Sequence, residues 1–205
     1  EGPRDARGHG VARSDDGPAG REPIRGFISD GDLPPRVFHP SHVNRRKALF
    51  EESIAFAAAG STIDITAFPL AEGEDAWSAP DALARYLESD APAERVTVSS
   101  DGGGCLPVFT SDGAVASYDV AAPAALLGAL RDTVAAGLDL ATTLPAFTTN
   151  PARLLRLAGK GELACGSAAD FLVLEEDLNL HAAMYGGAWY DANGRPKDTA
   201  AEVAQ

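Results

Sequence analysis

One alternation limits the folds open to this sequence. Short runs rich in β-branched and aromatic residues, Arg36-Val-Phe-His-Pro-Ser41, Thr62-Ile-Asp-Ile-Thr66 and Val96-Thr-Val98, are separated by stretches whose apolar residues recur at helical spacing. The first run leads into an amphipathic helix from about Arg46 to Ala59. Leu49, Phe50, Ile54 and Phe56 lie on or near one face of it, and Gly60 breaks it. After the second run, loop 67–78 carries Pro69, Gly73 and several acids, and Ser78 is placed to cap a helix that holds Pro80 and Asp81 in its first turn and ends near Ser89. Strand, helix, strand in that order predicts an α/β layout with parallel strands and right-handed crossovers.

The flanks are read the same way. Residues 1–20 hold Gly, Pro, Arg and Asp with almost no large apolar side chain, so they are expected to form a flexible loop or insertion with no strand; His9 is a solvated loop residue there. Ile24, Phe27 and Ile28 predict a helix from Arg21 to Ser29, stopped at Gly31. Pro34-Pro35 then delivers extended chain into the strand at Val37-Phe38. Gly102 to Tyr118 is expected to be a long loop with a turn at Ser111-Asp-Gly113. Helices follow from about Pro123 to Ala136, from Leu140 to Phe147 and from Thr149 to Leu157. Strands are expected at Phe171–Leu174, Leu178–Tyr185 and Ala188–Tyr190, with a fraying polar tail from Asp191.

Charge and composition exclude several classes of partner. Thirty Asp and Glu stand against 17 Lys and Arg, giving a net charge of −13. Such a surface repels phosphate backbones and anionic lipid, so neither nucleic acid nor membrane is expected as a partner. No apolar run approaches the roughly 18 residues of a membrane span. Cys105 and Cys165 lack metal-type spacing and read as two free thiols of a reducing compartment, which points to the cytoplasm.

Two strand ends carry chemistry. His42 closes the first run, where a neutral ring nitrogen is a good zinc ligand; the alternatives are a hydrogen-bonded structural histidine, or His39 as the ligand in its place. Asp101 follows the third run within Ser100-Asp-Gly-Gly-Gly104. A carboxylate there can ligate a metal, take a proton from attacking water and return it to a leaving group, or else merely cap the glycine-rich turn. Arg45 offers a planar, permanently charged fork to a substrate carboxylate, whereas Arg46 starts a helix and faces solvent. Asp64 reads as a buried, hydrogen-bonded structural group, and His181 has no assigned role.

The spelling His42-Val-Asn-Arg45 together with Ser100-Asp101-Gly-Gly-Gly104 resembles the isoaspartyl (β-aspartyl) dipeptidases of the metal-dependent amidohydrolase superfamily. The resemblance covers about residues 21–190 and implies the C-terminal part of a (β/α)8 TIM barrel, strands six to eight, over residues 21–158. Part of a small β-sandwich and a polar tail would occupy 159–205, entered through Gly159-Lys-Gly-Glu-Leu-Ala-Cys-Gly166. It implies hydrolysis of β-aspartyl dipeptides by zinc-activated hydroxide, with His42 and Asp101 as metal ligands, Asp101 also as general acid/base, and Arg45 on the α-carboxylate of the dipeptide. Cys105 stands where the family has a substrate-binding Ser; its thiol is a weak donor, which puts that contact in doubt.

The family's binuclear zinc site also needs a His-x-His pair, a carboxylated Lys and a further His. The sequence has no His-x-His, and none of Lys47, Lys160 and Lys197 ends a suitable strand. Glu1-Gly-Pro-Arg4 looks like the stretch after the last of those histidines, and a complete barrel takes about 250 residues. The chain is therefore expected to be an N-terminally truncated fragment, inactive alone, of an enzyme that is a homo-oligomer when full length. A dihydroorotase-like or deaminase-like amidohydrolase is the alternative within enzymes, and a non-catalytic remnant the alternative outside them.

Overall fold

A computed structural model describes residues 10–13, 26, 30, 33–70, 73–109 and 115–198, with side chains left out at 10–13 and 106–109. Two compact units divide between Asn150 and Pro151. In the first, strand β1 (Gly10–Arg13) pairs in parallel with β2 (Phe38–Ser41). Helix α1 (Lys47–Ala58) leads to β3 (Ile63–Thr66), and α2 (Ala79–Leu87) leads to β4 (Val96–Ser99). The pairing of β3 with β4 is parallel, as the alternation predicts, with Ile63 opposite Val96 and Asp64 opposite Thr97. Strands β5 (Cys105–Phe109) and β6 (Val115–Val120) form an antiparallel pair. Helices α3 (Ala125–Ala135) and α4 (Leu140–Thr143) follow, and the boundary falls within α5 (Thr149–Leu154).

The second unit is an antiparallel sheet of β7 (Phe171–Leu174), β8 (Leu180–Tyr185), β9 (Ala188–Asp191) and β10 (Pro196–Lys197), in that spatial order. Phe171 and Trp189 meet edge to face across it, with ring centroids 5.6 Å apart. Together the units make a mixed α/β chain. Among the described residues no helix is long and apolar enough to cross a membrane.

All four residues of β3 are buried, as are the first three of β4. Side chains alternate across a strand, so Ile63 and Ile65 point one way and Asp64 and Thr66 the other; Val96 and Val98 divide from Thr97 and Ser99 in the same manner. The apolar face packs into a core with Phe50 and Ala57 of α1 and Ala82, Leu83 and Tyr86 of α2. Tyr86 is tolerated there because its hydroxyl donates to the Pro92 carbonyl at 2.8 Å. Helix α1 ends where Gly60 takes φ 109°, a conformation that L side chains rarely adopt, and α2 starts on Ser78, whose hydroxyl accepts from the Asp81 N–H. Further along, the Asn150 amide donates to the carbonyls of Ala93 and Val96 and so pins the start of β4.

Several expectations need correction. Gly10–Arg13, taken for loop, is a strand: pairing with β2 satisfies its backbone without demanding large apolar side chains. Pro35–Val37 is a 3-10 turn, and the strand begins at Phe38. The long loop after Gly102 contains the β5/β6 hairpin. Pro107, which argues against a strand, is accommodated because, among the described residues, both strands of this pair are edges. The helix at Leu140–Phe147 is α4 followed by a 3-10 turn at Leu144–Ala146, where Pro145 sits in the turn. Beyond Asp191 the chain turns back and adds β10, so that stretch of the tail is ordered. The turn at 111–113 lies outside the described residues, as does the helix at 21–29 apart from Gly26, which is helical.

Phe50 lies at the centre of this core and is fully buried. Phe50→Ala should lower unfolding free energy by about 3–5 kcal/mol, whereas Ser78→Ala should cost about 1 kcal/mol; urea unfolding of the two variants checks the ranking.

Candidate functional site

Strand β2 ends on His42, which leaves extended geometry for φ 57°, ψ 31° and turns the chain into a 3-10 turn at Val43–Arg45. A left-handed conformation at a residue other than glycine costs on the order of 1 kcal/mol, so the surroundings must hold it. Asn44, fully buried, does much of that. Its amide nitrogen donates to the carbonyls of Thr66 and Trp77 at 3.0 and 2.9 Å, and its amide oxygen accepts from the Thr66 N–H at 2.9 Å. The Trp77 N–H in turn donates to the Asn44 carbonyl. The turn after β2, the end of β3 and the loop leading into α2 are thereby tied together.

His42 is buried, with Nδ1 2.6 Å from the Thr66 hydroxyl oxygen and Nε2 3.9 Å from Asp101 Oδ2. Asp101 follows β4 and is also left-handed, with φ 50°. The glycine-rich turn makes room for it. A Cβ on Gly104 would lie 2.6 Å from Asp101 Oδ2, and one on Gly102 would lie 2.9 Å from Pro123 Cγ. Gly104 N–H donates to the Asp101 carbonyl at 2.7 Å, which closes the turn.

Asp64 lies on the same polar face. Thr97 and Ser99 donate their hydroxyls to its two carboxylate oxygens at 2.7 and 2.6 Å. Burial pushes its pKa from 3.8 up to about 6, against the opposing pull of the Ser99 and Thr97 hydrogen bonds and of His42, with Asp101 adding a smaller upward push. His39 is engaged elsewhere: its Nδ1–H donates to the Thr62 carbonyl at 2.9 Å, and desolvation by burial lowers its pKa although that hydrogen bond opposes the shift.

Of the residues singled out from sequence, His42 and Asp101 are brought together, and His42 rather than His39 faces the carboxylate. Arg45 is half-buried with its guanidinium carbon 4.6 Å from the centroid of the Phe68 ring, while Arg46 is exposed. Cys105 is an exposed free thiol at the first position of β5. Sequence reasoning missed Thr66, the structural part of Asn44, and Phe68. The available signal was the placing of Asp64 and Thr66 two apart in a strand otherwise fit for complete burial, which marks a polar face. Among the described residues no group of three or more His, Cys, Asp or Glu comes together, so His42 and Asp101 offer a pair of metal donors and no more.

His42 and Asp101 thus stand beyond the ends of β2 and β4 in a mixed α/β chain. No family model matches the sequence. Solved structures do match it. The β-aspartyl dipeptidase of the thermophilic, keratin-degrading Fervidobacterium islandicum AW-1, solved in complex with a β-Asp-Leu dipeptide, is 32% identical over 94% of this chain and 50% of its own, with a TM-score of 0.80. A second structure of the dipeptidase from that organism gives 30% identity over 94% of this chain and 48% of its own, with a TM-score of 0.76. The chain is thus similar over nearly its whole length to β-aspartyl dipeptidases, and it spans about half the length of these solved structures.

The raised pKa of Asp64 sets a pH dependence. Its folded-state value lies above the unfolded one, so the stability contributed by its protonated form is fully present below about pH 4 and is lost as pH rises through about 6. At about 1.36 kcal/mol per unit, that loss is of order 3 kcal/mol. Asp64→Asn should flatten this part of the stability curve; urea midpoints of both proteins from pH 4 to 7 measure it.

Proposed function

We propose that this chain is the C-terminal portion of a β-aspartyl dipeptidase, contributing the later strands of a (β/α)8 barrel and part of a β-sandwich, and that the whole enzyme hydrolyses the β-aspartyl amide bond of a dipeptide. The observation that carries the reading is His42 Nε2 turned toward Asp101 Oδ2 at 3.9 Å beyond the ends of β2 and β4. An imidazole and a carboxylate so placed fit a hard or borderline cation such as zinc, and these two residues would hold it. When bound, the metal would lower the pKa of a water molecule and polarise the scissile carbonyl.

The remaining chemistry belongs to the protein. Asp101 accepts the proton of the attacking water on its carboxylate and returns it to the departing amine, a task suited to a group whose position is set by a tight turn. His42 turns Nε2 toward Asp101, with its ring held by the Thr66 contact on the opposite side. Arg45, with one face of its guanidinium on Phe68, presents its N–H edge to the α-carboxylate of the substrate. Two metal donors do not close a zinc site, so the isolated chain is expected to hydrolyse no β-aspartyl dipeptide, and assembly with the complementary half of a β-aspartyl dipeptidase should supply the remaining ligands.

Turnover of β-Asp-Leu by that assembly tests the reading. It should be abolished by Asp101→Asn, and retention of most activity in this variant would remove the proposed proton carrier. Arg45→Ala should lower kcat/KM for β-aspartyl dipeptides roughly 30- to 1000-fold, corresponding to about 2–4 kcal/mol for a desolvated, charge-assisted contact. Substrates whose α-carboxylate is amidated should lose far less. Equal losses on both substrates would assign Arg45 to holding its loop instead of reading the ligand.

A further inference from the structure

We propose that Thr66 is the positioning residue of His42: its hydroxyl accepts the Nδ1–H, so the imidazole is held as the Nδ1–H tautomer with the bare Nε2 lone pair turned to Asp101. The proposal deepens the metallohydrolase reading above and rests on it for its purpose, but its geometry belongs to this chain alone. Three of Thr66's polar groups are engaged in the one turn. Its N–H and carbonyl are both taken by the side chain of Asn44, next to His42, and its hydroxyl oxygen lies 2.6 Å from His42 Nδ1. Thr66 is fully buried and His42 nearly so, so bulk water does not compete for this contact.

One hydrogen lies between Nδ1 and the hydroxyl oxygen, and its owner decides what the other side of the ring can do. Were the threonine the donor, Nε2 would carry the ring's hydrogen. Asp101 Oδ2 is 3.9 Å away, beyond hydrogen-bond reach, so that N–H would face the carboxylate without a hydrogen bond to it. With Nδ1 as donor, Nε2 presents a lone pair across a short gap from the Asp101 carboxylate, and the two acceptors face a space that suits a cation. His39 shows the same tautomer in the neighbouring contact, where Thr62 supplies a carbonyl that can only accept. A hydrogen bond on one ring nitrogen generally sets which nitrogen is free to ligate, and it also stops the ring from rotating about its bond to Cβ.

The arrangement also explains why a threonine suits this place. The β-branched side chain is stiff at χ1, so a buried strand position fixes the hydroxyl direction, and the Asn44 clamp on the same residue's backbone fixes its height against the His42 turn. Thr66 thus sets both the path of the chain around His42 and the direction of its ring. A merely structural threonine would need only the first of these. The two roles separate when the hydroxyl is removed and the shape is kept.

The test is a long-range 1H–15N correlation spectrum of the imidazoles in the labelled chain without metal or substrate, at about pH 8, where free imidazole is neutral. The expected result is His42 protonated at Nδ1 and bare at Nε2. Thr66→Ser should preserve that pattern, and the isosteric Thr66→Val should lose it, with the Nε2-protonated form becoming a major species while backbone amide shifts away from the site stay in place. A wild-type His42 protonated at Nε2, or an unchanged tautomer in Thr66→Val, would overturn the proposal. Should Thr66→Val not fold, the wild-type and Thr66→Ser spectra still decide. In the assembled enzyme, Thr66→Val should weaken zinc affinity about 10- to 100-fold with recovery in Thr66→Ser. Failure of that assembly to turn over substrate, with the tautomer as stated, would count against the dipeptidase reading and leave the Thr66 assignment standing.

Discussion

A strand pair buried on both faces has to satisfy every polar group it carries, and β3 with β4 is built around that demand. Ile63, Ile65, Val96 and Val98 meet the helices on one face, where area removed from water drives packing. The other face holds a carboxylate and three hydroxyls. These satisfy one another, Asp64 taking Thr97 and Ser99, while Thr66 turns to His42. A single-residue slip in register would exchange the two faces, placing Asp64 among Phe50 and Leu83 at the cost of an unpaired buried charge. Register, core and site are therefore one constraint.

Both residues of the site pair are left-handed, His42 at φ 57° and Asp101 at φ 50°. Neither conformation is favourable in isolation. Each occurs where a strand stops abruptly and a side chain must face the space beyond the sheet, and each is held by neighbours that give no slack: Asn44 around His42, and Gly102 to Gly104 around Asp101. Strain that is held in this manner keeps the imidazole and the carboxylate facing one another, 3.9 Å apart.

The likeness to β-aspartyl dipeptidases covers nearly all of this chain but half of those enzymes. Among the described residues, β1 with β2 and β3 with β4 are two separate parallel pairs.

The order of strands and helices from Phe38 to Ser99 was legible because periodicity changes from two to helical spacing and back, and because Ser78 and Gly60 mark helix ends by their own chemistry. His42 and Asp101 were legible as residues of the right type at strand ends. The hairpin at 105–120 was not, since Pro107 and an exposed, mixed pattern carry no burial signal, and neither was the strand at Gly10–Arg13, whose pairing is all backbone. By itself the sequence determined the elements around the site and the residue types able to do chemistry. Only the tertiary structure turned His42, and not His39, toward Asp101, and only it brought Thr66 to the second ring nitrogen. That choice depends on contacts 24 residues apart in sequence, made across neighbouring strands, which no local pattern encodes.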